Sequence, residues 1–263
     1  MAEKLMAEQQ VAGRIALVTG ATSGIGRAVA EAFAAEGAVV TGIGRNRTAA
    51  AEIAQRIEDA GGRFRFIACD VRREAEVDAA VAAVLAADGR LDVAANCAGV
   101  DHVAALMDSD VAAYDKVFDA NVRGLFLCLR AEMRAMGDAG GGSIVNVGSI
   151  AGRRAFRKNG LYNASKAAVT MLTRTAAVEG GSLAIRVNEV APGPVATPML
   201  EHYLAGLAPS KVAAARDRLS AAAPLAGISS AVDVAAAVVF LCSGEAARIT
   251  GATLTVDGGL ILA

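Results

Sequence analysis

Tyr162 and Lys166 stand four residues apart in a stretch that reads as a helix, and Ser149 lies just past an apolar run that reads as a strand. Residues four apart on a helix share a face. An isolated phenol titrates at about pH 10, and an ammonium close by favours its anion. The spacing therefore predicts that Lys166 lowers the pKa of Tyr162, whose oxygen gives a proton to a carbonyl or takes one from an alcohol. The Ser149 hydroxyl can hold the reacting oxygen. Taken alone, a Tyr/Lys pair at this spacing is usually an ordinary surface or core contact, so the surrounding elements have to carry the reading.

Short β-branched runs at Ile15–Val18, Val39–Ile43, Phe64–Ala68, Leu91–Ala95, Ile144–Val147, Ile185–Val190 and Thr253–Val256 read as strands. Longer stretches at Gly26–Glu36, Thr48–Ala60, Glu74–Ala87, Tyr114–Met136, Tyr162–Val178 and Asp233–Cys242 read as helices between them. Runs that are apolar throughout, rather than alternating, belong to strands buried on both faces. Their alternation with helices predicts an α/β fold with a doubly wound, seven-stranded parallel sheet and helices on both faces. No linker splits the chain, so residues 13–263 are expected to form a single domain after an N-terminal extension, 1–12. All five prolines lie between Pro192 and Pro224, and the long non-sheet excursion at about 194–225 reads as a substrate lid.

Thr19 to Gly26 reads T-G-A-T-S-G-I-G between the first strand and the first helix. Gly20, Gly24 and Gly26, with Thr22, Ser23 and Ile25 among them, allow a tight turn whose backbone N–H groups approach a pyrophosphate at a helix N-terminus. The spacing is G-x-x-x-G-x-G rather than G-x-G-x-x-G, and its weight comes from the strand–turn–helix setting. An NAD site usually carries an acid about 20 residues on, bonded to the ribose 2′-hydroxyl. Here no acid occurs between Glu36 and Glu52, and Arg45 follows the second strand. A guanidinium suits a 2′-phosphate that a carboxylate would repel, so NADP(H) is favoured and NAD(H) stays open.

Thr19–Gly26, Asn96-Cys97-Ala98-Gly99, Ser149, Tyr162-Asn163-Ala164-Ser165-Lys166 and Pro192-Gly193 occur in the order and spacing of the classical short-chain dehydrogenase/reductase family. The chain resembles that family from about Gly13 to Gly259. The resemblance implies a Rossmann fold and hydride transfer between a nicotinamide and a carbonyl or secondary alcohol. It implies that Ser149, Tyr162 and Lys166 are catalytic. Asn121 would be a fourth member, holding Lys166 through a water, and Lys166 would also bond the nicotinamide ribose. Asp70, with Val71 beside it, would cap the adenine amino group, while Asn96, Ala98 and Gly99 line the adenosine side. Val195 and Thr197, after Pro192 and Gly193, would meet the carboxamide. Members usually form dimers or tetramers through two long helices, here resembling Tyr114–Met136 and Tyr162–Val178. Two departures stand out. Asn96-Cys97 replaces the commoner double-Asn form, and Ser23 stands where many NADP-preferring members carry a basic residue. The case for a phosphate therefore rests on Arg45.

Hydrophobic residues make up 54% of the 263, enough for a sizeable core, and a net charge of -1 gives no footprint of a nucleic-acid binder. Cys69, Cys97, Cys128 and Cys242 are too scattered for a CxxC pair and read as buried small hydrophobes in a reducing compartment. The N-terminus lacks the apolar core of a secretory signal, and the longest strongly apolar tract, Val234–Cys242, is too short to span a bilayer, so a cytoplasmic protein is expected. No G-x-S-x-G elbow occurs, and His102 and His202 have no metal partner set, which disfavours a hydrolase triad and a metal site.

Arg153, Arg154, Arg157 and Lys158 lie between Ser149 and Tyr162. They raise an anionic substrate, a carboxylate, phosphate or 3-oxoacyl carrier, against the plainer reading of a solvent- or subunit-facing loop. Asp101 and His102 follow Gly99 toward the same pocket. The competing functions are an NAD-linked alcohol, polyol or sugar dehydrogenase, a nucleotide-sensing regulator without turnover, and an isomerase or dehydratase. The regulator would usually lack the Tyr/Lys pair. The isomerase commonly needs an extra substrate domain, for which the C-terminal part leaves little room.

Overall fold

The computed structural model describes residues 10–263, in which one parallel sheet runs in the order β3-β2-β1-β4-β5-β6-β7. Its strands are β1 (Ile15–Thr19), β2 (Val39–Gly44), β3 (Arg63–Ala68), β4 (Val93–Asn96), β5 (Gly142–Val147), β6 (Ile185–Pro192) and β7 (Thr253–Val256). This is the doubly wound α/β sheet that the strand runs predict. Strand order reverses between β1 and β4, and in such sheets the crevice beyond the strand ends at the reversal is where ligands bind. The register pairs Thr19 with both Ile43 and Asn96, so β1, β2 and β4 end level with one another there.

Alternate side chains of each strand enter two cores. Val18, Val40 and Val145 pack with α1 (Gly24–Ala35), α2 (Arg47–Asp59) and α9 (Ala231–Cys242), through Phe33, Ile53 and Val238 among others. Leu17, Ile144 and Ile185 pack on the other face with α3 (Glu74–Asp88), α5 (Gly124–Asp138) and α6 (Gly160–Gly180), through Val84, Met136 and Val169. Each such side chain contributes about 1.5–3 kcal/mol when fully buried. The continuous apolar runs of the strands follow from this two-sided burial.

The expected single helix Tyr114–Met136 is corrected by the structure. It is α4 (Val111–Phe118), a π-helical turn over Asp119–Arg123, and then α5. The wider turn faces Asn121 into the protein, at 2% exposure. Such turns recur at functional sites because they re-aim a side chain without ending the helix. At its end, a Cβ on Gly124 would stand 2.8 Å from Val71 Cγ2, so only glycine lets this helix approach Val71 so closely.

The proline-rich excursion is helical. Pro198 and Pro209 open α7 (Pro198–Ala205) and α8 (Pro209–Ala221), where a missing N–H costs nothing. Leu200, Leu204 and Ala215 form a small core of their own, apart from the two beneath the sheet. Of the expected N-terminal extension, residues 1–9 lie outside the described residues, while Val11 is buried in the first core. Among the described residues no helix is long and apolar enough to cross a membrane.

Candidate active site

β1 leaves the sheet through Gly20 at φ +65° and enters α1 through Gly24 at φ +51°, conformations that side chains rarely adopt. A Cβ on Gly20 would lie 3.0 Å from the Ala98 backbone, and one on Gly26 only 2.3 Å from the Gly20 carbonyl oxygen. The turn is closed from the other side by Thr19, whose Oγ1 accepts the N–H groups of Cys97 and Ala98, each at 3.0 Å. Ser23 at the start of α1 makes no side-chain capping bond. The first-turn N–H groups are thus left for an anion.

A cavity of ≈ 220 Å³ opens beside this turn, lined by Gly20, Thr22, Ser23, Arg45, Asp70, Val71, Ala98 and Gly99, all singled out from sequence. Arg72 and Lys116 line it too, and sequence reasoning missed both. Arg72 folds back on Asp70, with Nη2 donating to Oδ2 at 2.6 Å. That bond, and more weakly the charge of Arg45, hold the Asp70 carboxyl below its usual range. No ion pair engages Arg45 among the described residues. A glycine cradle ringed by three cations, whose one acid is already paired, fits a dinucleotide phosphate chain.

The remaining residues proposed for this side do not all reach the cavity. Ile25 packs on the core. Asn96 points inward, its Nδ2 donating to Glu132 Oε2 at 2.8 Å and Asn146 Oδ1 at 3.1 Å. Thr197 stands 3.4 Å from where a Gly24 Cβ would be, which brings the segment after β6 against the glycine turn. Pro192 ends β6 and Gly193 packs on Asp257. Val195 is buried and bridges to Ser229.

At the other end of the crevice, β5 runs into Ser149 and α6 carries Tyr162 and Lys166. Burial pushes the Tyr162 phenol up to about 12, opposed by its hydrogen bond with Ser149 and reinforced by the Asp101 charge. This reverses the expectation that Lys166 lowers it. Lys166 Nζ donates to the Val147 carbonyl at 2.9 Å and lies 5.7 Å from the centre of the Tyr162 ring rather than against its oxygen. Burial in turn draws Lys166 down to about 8, against an upward pull from Glu189. Asn121 Oδ1 accepts the Val100 N–H at 2.8 Å, while its Nδ2 donates to the Val100 carbonyl and to Ser165 Oγ, one residue before Lys166. The arrangement can hold a carbonyl oxygen at a hydroxyl and a phenol and deliver a proton to it.

A family model described as enoyl-(acyl carrier protein) reductase matches residues 20–261. The chain is 41% identical over 249 residues to cis-4-hydroxycyclohexanecarboxylate dehydrogenase of Sinomonas cyclohexanicum, covering 94% of this chain and 96% of that one. A short-chain type dehydrogenase/reductase from Mycobacterium ulcerans superposes with a TM-score of 0.89 at 35% identity, over 96% of this chain and 91% of that one. The chain belongs to the short-chain dehydrogenase/reductase family. It is therefore an oxidoreductase of alcohols and ketones. Another member of known structure, a 7α-hydroxysteroid dehydrogenase complexed with NADH and 7-oxo glycochenodeoxycholic acid, superposes with a TM-score of 0.88 at 30% identity, covering 95% of each chain.

Two fully buried carboxylates flank the site of this dehydrogenase/reductase, and sequence reasoning named neither. Glu132 on α5 bonds Asn96, and burial pushes it up to about 7. Glu189 on β6 accepts hydroxyls from Thr170 and Thr253. A signal for Glu189 was present in the sequence, an acid inside the run Ile185–Val190 that reads as a buried strand. The same physics keeps the thiols protonated: burial pushes Cys97 and Cys242 up to about 12.

Proposed function

We propose that this dehydrogenase/reductase is an NADP(H)-linked reductase of an anionic ketone, with Ser149, Tyr162, Lys166 and Asn121 as its working residues. The observation that carries the cofactor choice is Arg45, a cation lining the cavity without an ion-pair partner among the described residues, where an NAD site would hold an acid. Gly20, Gly24 and Gly26 would hold the pyrophosphate, and Asp70 and Val71 the adenine. Pro192, Gly193, Val195 and Thr197 would hold the nicotinamide end. When bound, the nicotinamide supplies the hydride in reduction and accepts it in oxidation.

The Tyr162 phenol, kept protonated at neutral pH by burial, serves as proton donor to the carbonyl oxygen. Ser149 holds that oxygen, and Asn121 fixes the helix carrying Lys166. The Lys166 ammonium restrains the phenolate left behind. Arg153 and Arg157 stand exposed on the loop between Ser149 and Tyr162, and their charge favours an anionic substrate, in keeping with the carboxylate in the Sinomonas enzyme's name. Arg154 is otherwise engaged, donating to the carbonyls of Leu260 and Ala263. Tyr114, stacked on Phe118, and exposed Phe126 and Met171 supply an apolar face on α4–α6 for a homodimer or homotetramer.

Nicotinamide fluorescence in titrations of NADPH and NADH decides the cofactor, with NADPH expected to bind about ten-fold tighter or more. Equal or tighter NADH binding makes Arg45 a bystander and moves the reading to NAD-linked alcohol oxidation. Binding of neither supports a regulator without turnover. For the substrate, Arg153→Ala should raise KM for 4-oxocyclohexanecarboxylate and spare its methyl ester. An unchanged ratio removes the anionic reading.

A further inference from the structure

We infer that Glu189 is a positioning residue, a buried carboxylate that supplies the countercharge to Lys166 and braces the end of β5 from which Ser149 and the lysine's acceptor project. This rests on the proposed assignment of Ser149, Tyr162 and Lys166.

A buried ammonium needs an opposite charge or a full set of acceptors. Lys166 is 5% exposed, and its ammonium's one direct hydrogen bond among the described residues is to the Val147 carbonyl. The groups around it divide by element. Tyr162, from α6, is neutral until about 12, and so is the Cys97 thiol after β4. Asn121, from the π turn, is spent on Val100 and Ser165. Glu189, from β6, is the one carboxylate whose charge supports the ammonium. Arg153, after β5, faces Glu189 and favours its ionised form, as Lys166 does.

The carboxylate is built in rather than trapped. Glu189 has no exposed surface. Its Oε1 accepts Thr170 Oγ1 at 3.0 Å and its Oε2 accepts Thr253 Oγ1 at 2.8 Å. Burial raises the Glu189 carboxyl above its ordinary value, and the two hydroxyls, with the charge of Lys166, pull back toward the ionised form. Thr170 is one turn beyond Lys166 on α6, and its Oγ1 also lies 3.2 Å from the Lys166 carbonyl. A Cβ on Gly148 would stand 1.8 Å from Glu189 Oε1, so the carboxylate occupies the space that any other residue at 148 would fill. Gly148 lies between Val147, which receives the lysine, and Ser149. One side chain therefore bears on both contact points of the site.

The test reads Lys166 directly. The chain has five lysines, at 4, 116, 158, 166 and 211, so enzyme labelled at lysine Cε gives few resonances, and Lys166→Arg assigns the one that matters. Wild-type Lys166 is expected to titrate at about 8. Glu189→Gln removes the charge and keeps the size, and should move that titration down by about one pH unit. Turnover at pH 8 then falls about five-fold while NADPH affinity holds, since fewer lysines are protonated. Glu189→Asp, which keeps the charge, should move the titration less. An unmoved Lys166 titration in folded E189Q overturns the proposal. Should E189Q not fold, Thr253→Val withdraws one hydroxyl from the carboxylate and should give a smaller downward move. No movement there, or an upward one, overturns it equally. Tyr162→Phe run beside these separates the two levels. Retained turnover in that variant breaks the site assignment and the positioning role with it, whereas lost turnover beside an unmoved lysine breaks the Glu189 proposal alone.

Discussion

The cofactor side of the crevice is built from backbone, and the chemical side from buried charge. At the first, Gly20, Gly24 and Gly26 bring main chain against main chain, with 2.3 Å between a hypothetical Gly26 Cβ and the Gly20 carbonyl. The cations there, Arg45, Arg72 and Lys116, stand at a cavity open to solvent. At the second, Lys166, Glu189 and Glu132 are almost wholly removed from water, and their ionisation follows from desolvation and a few hydrogen bonds. A backbone-built site is insensitive to pH and intolerant of a methyl group. A charge-built site tolerates isosteric change in shape but responds to any change in ionisation.

The contrast is broken most severely at Tyr162. Tyr162→Phe keeps the ring and removes the proton. Turnover should fall about 10²–10⁴-fold with NADPH binding unchanged. Loss of binding instead would mean that the two sides are not separable.

Glu132 sharpens the chemical side. Its folded value, about 7, lies above the ordinary 4.5, so the protonated form is favoured in the fold. That contribution is greatest below 4.5 and is lost as pH rises through 4.5 to 7. Wild type should therefore lose about 3 kcal/mol of unfolding free energy relative to Glu132→Gln across that window, read from urea midpoints. Parallel pH profiles of the two would show that Glu132 titrates in the fold as it does in the unfolded chain. Glu132 Oε1 and Asn96 Oδ1 both lack partners among the described residues, so a proton on Glu132 also supplies a missing donor.

Gly26→Ala tests the backbone side by adding one methyl group. It should destabilise by about 1–3 kcal/mol and weaken NADPH, because the Gly20 carbonyl cannot yield without moving the turn. Wild-type stability and affinity would mean that the turn is looser than its contacts. The smallest effect is expected at Arg45. Arg45→Ala should weaken NADPH about ten-fold and leave NADH unchanged. Equal loss for both cofactors would make the cation a general anion contact rather than a phosphate reader.

The same contrast separates what could be read from the chain. The strands were legible because burial on both faces leaves largely apolar runs such as Ile15–Val18. The glycine turn was legible because positive φ and close approach admit almost no other residue. Tyr162 and Lys166 were legible as a pair because helical spacing puts them on one face. The excursion after β6 was marked by its prolines but its helices were not read, since Pro198 and Pro209 mark helix starts as readily as loops.

Sequence by itself determined the layering, the glycine cradle and the pairing of Tyr162 with Lys166 on one helix, because these depend on local periodicity and on sterics within a few residues. Tertiary structure alone decided the ionisation of the site. Whether a phenol sits at 10 or about 12, and whether Lys166 meets a phenol oxygen or the Val147 carbonyl, depends on how much water is excluded and which distant groups are brought near. Glu189 and Thr253 are 64 residues apart in the chain and 2.8 Å apart in the fold. No local pattern encodes such a contact, and the free energy of a buried charge is set by contacts of that kind.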